Sequence, residues 1–87
     1  MSNIIITAGS VTTAVRLRKK LNSSGDLNAA VIHTPSVINS GGCSYSVRTT
    51  FDKLMLVKKL AKDGKISYRK IYAEEYVKGE SVLRDIS

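Results

Sequence analysis

The chain has one cysteine, Cys43, and its position beside flexible backbone makes it the first candidate for chemistry. It directly follows Ser40-Gly41-Gly42, and glycines allow successive backbone N–H groups to turn toward one point. Such a nest can stabilise a thiolate, or a sulfur atom carried on it. The structural alternative is that Cys43 packs as a small hydrophobe, because its alternation with Tyr45 and Val47 is typical of one apolar strand face. The spacing leaves both interpretations open.

His33 is the only histidine and lies ten residues before Cys43. If the segments on either side of the intervening loop pair as strands, the imidazole lies across the loop mouth from the thiol and could accept its proton. The separation sets no distance, and no third residue that would orient the imidazole is identifiable. The alternative is an ordinary histidine at a strand end. One cysteine and one histidine fall short of the ligands that zinc takes, so no metal site is expected.

Hydrophobic periodicity and turn residues predict six elements in the order β-α-β-β-α-β. The predicted strands cover residues 3–7, 28–33, 43–49 and 66–72. The predicted helices run from a cap at Ser10 to about Asn22, and from a cap at Thr49 or Thr50 to a stop at residues 63–65. This order predicts an α+β fold, a ferredoxin-like βαββαβ sandwich with a four-stranded antiparallel sheet and two helices on one face. The first and third strands are expected to be central, and the second to pair with the third.

A length of 87 residues, of which 43% are hydrophobic, predicts a single domain over residues 1–87 with one core. Residues 73–87 are charged at intervals and are predicted to extend the fourth strand, to form a short helix or to fray as a tail. Residues 34–42 are predicted to form a loop, because Pro35 cannot donate to a sheet ladder and Ser, Asn and Gly follow it.

Several function classes are not expected. A single cysteine excludes an intramolecular disulfide, and no charged and apolar leader opens the sequence, so a cytoplasmic location is predicted. The longest apolar run, residues 4–6, is far shorter than the roughly 20 residues of a membrane-spanning helix, so no membrane contact is expected. No phosphate-binding loop, dinucleotide fingerprint, nucleophile elbow or acid–base carboxylate pair occurs. Conventional hydrolase or dehydrogenase activity and a bound cofactor are therefore not predicted.

The net charge of +7 would attract nucleic acid, anionic lipid or an acidic protein. Basic residues crowd the first predicted helix at positions 16, 18, 19 and 20, although a solvated helix face explains them equally well. Tyr45, Tyr68 and Tyr72 are candidates for stacking RNA bases on an open sheet face. The third strand lacks the Gly-aromatic string of RNA-recognition domains, so nucleic-acid binding stays open without being favoured.

Three features occur together in this short chain: a strand that ends in Thr34-Pro35, a Ser/Gly segment that leads to Cys43, and an Ile71-Tyr72 pair on the last strand. In this combination the chain resembles the putative selenium/sulfur carrier-like family over residues 3–76. The Thr-Pro to Cys loop is the specific element of the likeness. The resemblance implies that Cys43 carries sulfur or selenium as a transient persulfide or selenosulfide, between donor and acceptor proteins. It implies a carrier or accessory protein more than an enzyme.

The resemblance also implies roles for neighbours of the thiol. Gly41 and Gly42 would donate backbone N–H groups to its negative charge, and His33 would at most accept a proton. The family pattern has arginine directly after the proline and glycine directly after the cysteine, where this chain has serines at positions 36 and 44. Pro35 and Gly42 match the pattern. Arg48 could replace the missing anion donor if its side chain faces the loop.

The competing interpretation is a small basic binding module without catalysis. Its basic helices would recruit nucleic acid or a protein partner, or an exposed strand edge would recruit a partner or a second copy of the chain to form a homodimer. The sequence leaves the donor, the acceptor and the oligomeric state undetermined.

Overall fold

The computed structural model describes residues 3–35, 38 and 45–86, which form two helices and a five-stranded antiparallel sheet. The strands are β1 (Asn3–Ala8), β2 (Ala30–His33), β3 (Tyr45–Thr50), β4 (Tyr68–Val77) and β5 (Glu80–Asp85), and the helices are α1 (Val11–Ser23) and α2 (Leu54–Asp63). The strand order across the sheet is β2-β3-β1-β4-β5. The predicted α+β class, the β2–β3 pairing and the β1–β3 pairing are confirmed.

β1 is the central strand and is buried on both faces, as its run of isoleucines predicts. Ile4 and Ile6 are fully buried and join Leu17 of α1 and Val57 of α2 in one hydrophobic core. Ile5 points to the opposite face and is 1% exposed. Both helices therefore pack on the Ile4 and Ile6 face, which leaves the other face without helices.

The start of α1 agrees with the predicted cap. Ser10 has extended backbone, and its side-chain oxygen accepts a hydrogen bond from the backbone N–H of Thr13 at 3.2 Å. This bond satisfies one of the N–H groups that lack a partner in the first turn of a helix. The helix ends at Ser23, one residue beyond the predicted end, and Gly25 follows with a φ of 98°.

The second helix begins later than predicted. Residues 51–53 form a turn of 3-10 helix, and the Thr50 side chain makes no capping hydrogen bond. A 3-10 turn has three residues per turn, so Phe51 falls off the apolar stripe of α2. The apolar spacing of the sequence predicts Phe51 on the apolar side of this helix, but 42% of Phe51 is exposed. The same spacing predicts Val57 and Ala61 on that side, and both are buried within α2.

The C-terminal part of the chain corrects the predicted number of strands. β4 begins two residues later than predicted, because Ile66 is buried in the connection, where its N–H donates to Ala61 O at 2.8 Å. β4 then continues to Val77. Lys78 and Gly79 have φ values of 51° and 83°, as in the tight turns of hairpins, and β5 returns beside β4. A four-stranded sheet is therefore wrong, because residues 80–85 add a fifth strand.

Neither helix in the described part of the chain is long and apolar enough to cross a membrane.

Candidate functional site

The two strands that flank the predicted loop pair at its mouth. β2 ends at His33 and β3 begins at Tyr45, and these two residues are partners in the ladder. Their ring centroids are 4.8 Å apart, with the planes inclined by 35°. Cys43, Gly41 and Gly42 lie outside the described residues, so their roles stay predictions. The structure places His33 exposed at the mouth of the loop, where the hairpin prediction expects it.

Four strands meet at this end of the sheet, which we call the loop end. Ala8, the last residue of β1, lies between Tyr45 of β3 and Tyr68 of β4 in the two ladders. Both tyrosines are half-buried against the core on the helix side. β1 leads directly into Gly9 and the Ser10 cap of α1. The loop end therefore brings together the two strand ends that hold the loop and the N-terminus of a helix.

Arg69 also lies at the loop end, and sequence reasoning missed it. A Cβ atom built on Gly9 would lie 3.6 Å from Arg69 Nε and 3.7 Å from Nη2, so the guanidinium packs over the start of the α1 connection. The β1–β4 ladder shifts register next to it, and Thr7 Oγ1 accepts the N–H of Lys70 at 2.9 Å. Arg69 is exposed and forms no ion pair with a carboxylate of the described residues. Within the part of the chain that the structure describes, it is therefore a cation without a carboxylate partner, beside a helix N-terminus.

The Arg48 side chain lies away from the loop end and pairs with Glu74. Its Nη2 atom lies 2.7 Å from Glu74 Oε1, on the face without helices. Glu74 also accepts hydrogen bonds from Asn3 Nδ2 and Ser81 Oγ, each at 3.3 Å. Asn3 begins β1, and Ala8 at the other end of that strand marks the loop end. The structure therefore brings the Arg48 guanidinium to a carboxylate near the opposite end of the sheet, and its predicted role beside Cys43 stays a prediction.

We expect ionised Glu74 to stabilise the fold. Partial burial is the largest single influence on its pKa and raises it, but hydrogen bonds from Asn3, Arg48 and Ser81 and the charge of Arg48 together lower the pKa below its usual 4.5. The pKa is thus lower in the folded than in the unfolded chain. The stability from Glu74 is present above the unfolded pKa and is lost as pH falls through the folded pKa.

The corresponding prediction concerns Glu74→Gln. This variant should lower the free energy of unfolding at neutral pH and should make that free energy decline less steeply in acid, measured by urea denaturation between about pH 3 and 7. Glu80→Gln is the matched control, because Glu80 is exposed in β5 and forms no ion pair among the described residues. Parallel acid profiles for Glu74→Gln and the wild type would contradict the role assigned to this carboxylate.

The tyrosines considered for RNA binding do not share a face. Tyr45 and Tyr68 pack against the helix-side core, whereas Tyr72 lies opposite Ile5 on the face without helices. A row of stacking partners on the open face, which single-stranded RNA would use, is therefore not formed by these three residues. Among the described residues, no cluster of three or more metal-ligating side chains occurs.

A protein-family model matches the greater part of the chain. The model of a family described as "Putative Se/S carrier protein-like" matches residues 3–73. The matched region begins with β1 and ends within β4, so it includes both strands at the loop mouth and the loop with Cys43. β5 lies beyond it. No curated protein and no solved structure matches the chain.

Proposed function

This chain belongs to the "Putative Se/S carrier protein-like" family, and from that premise we propose that it carries sulfur or selenium on the thiol of Cys43, between a donor and an acceptor protein. The observation that carries the proposal is the family match over residues 3–73, which contains the loop with this cysteine. Cys43 is the only cysteine of the chain, so no other side chain can hold the transferred atom as a persulfide or selenosulfide.

The charges at the loop end support this role. Cys43 precedes Tyr45 by two residues in the sequence. Tyr45 pairs with Ala8, which precedes Gly9 and the N-terminus of α1, and the Arg69 guanidinium packs over Gly9. A positive side chain and the N-terminal end of a helix both favour a thiolate over a thiol. His33 stands at the same mouth as a proton acceptor.

The proposed transfer conserves electrons. The Cys43 thiolate attacks the outer sulfur of a donor persulfide, so that a new S–S bond forms as the donor's S–S bond breaks. The donor leaves as a thiolate, and Cys43 becomes a persulfide. An acceptor thiolate then attacks the outer sulfur of Cys43 and regenerates its thiolate. Selenium follows the same exchange, with a selenosulfide in place of the persulfide.

The pH dependence of the rate of Cys43 alkylation tests whether the folded protein favours the thiolate form of Cys43. We expect the native protein to titrate with a midpoint below the ~8.5 of a free thiol and to react near neutral pH at least as fast as the urea-unfolded chain. Intact mass reports the single adduct. Arg69→Gln should raise the midpoint, because it removes the cation at the loop end. Arg84→Gln is the control, since Arg84 lies in β5 and pairs with Glu75 at 2.9 Å.

Strong protection of the thiol on folding would contradict the carrier function. Cys43 would then be a packing residue, and a basic binding module without chemistry would be the better account of the chain. If Arg69→Gln leaves the alkylation midpoint of Cys43 unchanged, Arg69 does not act on the thiol. That result would not contradict the proposed role of Cys43.

A further inference from the structure

The positive charge of the protein is concentrated on its helices. We define the helical layer as residues 11–27 and 51–67, which hold both helices and the connections that follow them. This layer carries nine basic and three acidic side chains, a net charge of +6. The strands and their turns carry five basic and four acidic side chains, a net charge of +1. Nearly all of the net charge of +7 therefore belongs to one side of the molecule.

Ion pairing strengthens this asymmetry. The three ion pairs of the described residues all lie within the sheet. They are Arg48–Glu74 at 2.7 Å, Lys70–Asp85 at 3.3 Å and Arg84–Glu75 at 2.9 Å. No basic residue of the helical layer takes part in one, and one of the three acids of that layer, Asp26, is buried. The sheet is thus close to neutral, whereas the helical face presents unpaired cations to solvent.

A groove between the two helices collects part of this charge. It is open to solvent, has a volume of about 240 Å³ and is lined by Lys19, Lys20, Ser23 and Ser24 from the end of α1 and by Leu60 of α2. Ammonium groups are donors only, and the serine hydroxyls can also donate, so the groove suits an acceptor with negative charge. Its lining includes no aromatic side chain on which a nucleic-acid base could stack.

We propose that the helical face is a docking surface for the acidic surface of a protein partner, with carboxylate side chains seated in the groove between α1 and α2. The proposal rests on the proposed function, because a carrier must be held by its donor or acceptor while the sulfur passes. Complementary charge is the property that steers and orients such an encounter.

The position of the groove is compatible with the docking of a donor or acceptor protein. α1 begins at the loop end and places Lys19 about 14 Å along the helix from Ser10, at 1.5 Å per residue. A common protein interface covers about 800 Å² on each partner, which is wide enough to reach from the groove to the loop end. Arg16 links the two helices here, because its Nη2 donates to Gly64 O at 3.5 Å. A partner docked on the helices would therefore reach the loop end.

The test uses a fluorescein-labelled oligoglutamate peptide as the probe, with single-stranded DNA of equal charge for comparison. Fluorescence anisotropy at about 50 and 200 mM salt gives the Kd values. Lys19→Glu changes the groove, and Lys78→Glu changes the net charge equally in the β4–β5 turn, away from the helices. We expect Lys19→Glu to weaken peptide binding about fivefold or more and Lys78→Glu to weaken it less than about twofold.

Two results would overturn the proposal. Equal weakening by both variants would show general attraction to a basic protein without a docking surface. Tighter binding of DNA than of the peptide, lost in Lys19→Glu, would make the helical face a nucleic-acid surface. Alkylation of Cys43 in Lys19→Glu separates this question from the carrier function, since its rate should equal that of the wild type. Thermal unfolding of both variants confirms that they fold.

Discussion

Incubation of the native protein with a small-molecule persulfide is expected to add the mass of one sulfur atom, and a Cys43→Ser variant is expected to add none. The thiol is the only group in the chain that can exchange into an S–S bond, and a hydroxyl cannot replace it because an alkoxide is not accessible at neutral pH. Loss of uptake should therefore be complete. Intact mass spectrometry measures it, and reduction with dithiothreitol should return the wild type to its original mass.

A relocated thiol provides the matched control. In a Cys43→Ser/Ser81→Cys variant the single cysteine stands exposed in β5, away from the loop end, at a position whose side-chain oxygen lies 3.3 Å from Glu74 Oε2. We expect this protein to take up sulfur several times more slowly than the wild type near neutral pH, because a neighbouring carboxylate disfavours a thiolate. Equal rates would show that any exposed thiol of this protein reacts alike, which would contradict a prepared site at Cys43.

Replacement of Asp26 with alanine is expected to lower the free energy of unfolding by about 3 kcal/mol, because the buried Thr49 hydroxyl and the partly buried Asn28 N–H lose their charged acceptor. Asp26 is 1% exposed, and its carboxylate accepts hydrogen bonds from Thr49 Oγ1 at 2.5 Å and from the N–H of Asn28 at 3.1 Å. These bonds fasten the connection between α1 and β2 to β3. For a domain of this size the loss corresponds to roughly 12–24 °C in Tm, measured by thermal unfolding.

Two further variants test the reason for this loss. Asp63→Ala removes an exposed carboxylate at the end of α2 and should change the free energy of unfolding by less than about 0.5 kcal/mol. Thr49→Val combined with Asp26→Ala removes donor and acceptor together, so its cost should be smaller than the sum of the two single costs. Simple additivity, or an unchanged Tm for Asp26→Ala, would contradict a structural role for the carboxylate.

Elements with strong local signals agree with the structure. The isoleucine run of β1 predicts burial on both faces, and the hydroxyl of Ser10 predicts the start of α1, because a cap acts within one turn. β5 had no comparable signal. Its turn is Lys78-Gly79, whereas Asn-Gly and Asp-Gly are the usual markers of two-residue hairpins, so the glycine alone did not indicate a return of the chain.

The sequence likewise predicts one part of the candidate site and misses another. The hairpin prediction places His33 at the loop mouth, because strands that follow each other in the chain commonly pair in antiparallel across the loop between them. The contact of Arg69 with Gly9 joins residues sixty positions apart, and it depends on the register shift between β1 and β4. No local pattern encodes such a shift. The partner of Arg48 was likewise set by the extension of β4 beyond residue 72, which the sequence offered only as one alternative beside a short helix and a frayed tail.

β5 also changes how the sheet meets other copies of itself. Without it, the long β4 would be an open edge, and open edges are templates for aggregation into fibrils. β5 covers that edge and is itself short, with charges at Glu80, Arg84 and Asp85. At the other edge of the sheet, β2 has only four residues. Both edges of the sheet are therefore short or charged, so the protein is expected to stay dispersed at high concentration instead of pairing edge to edge.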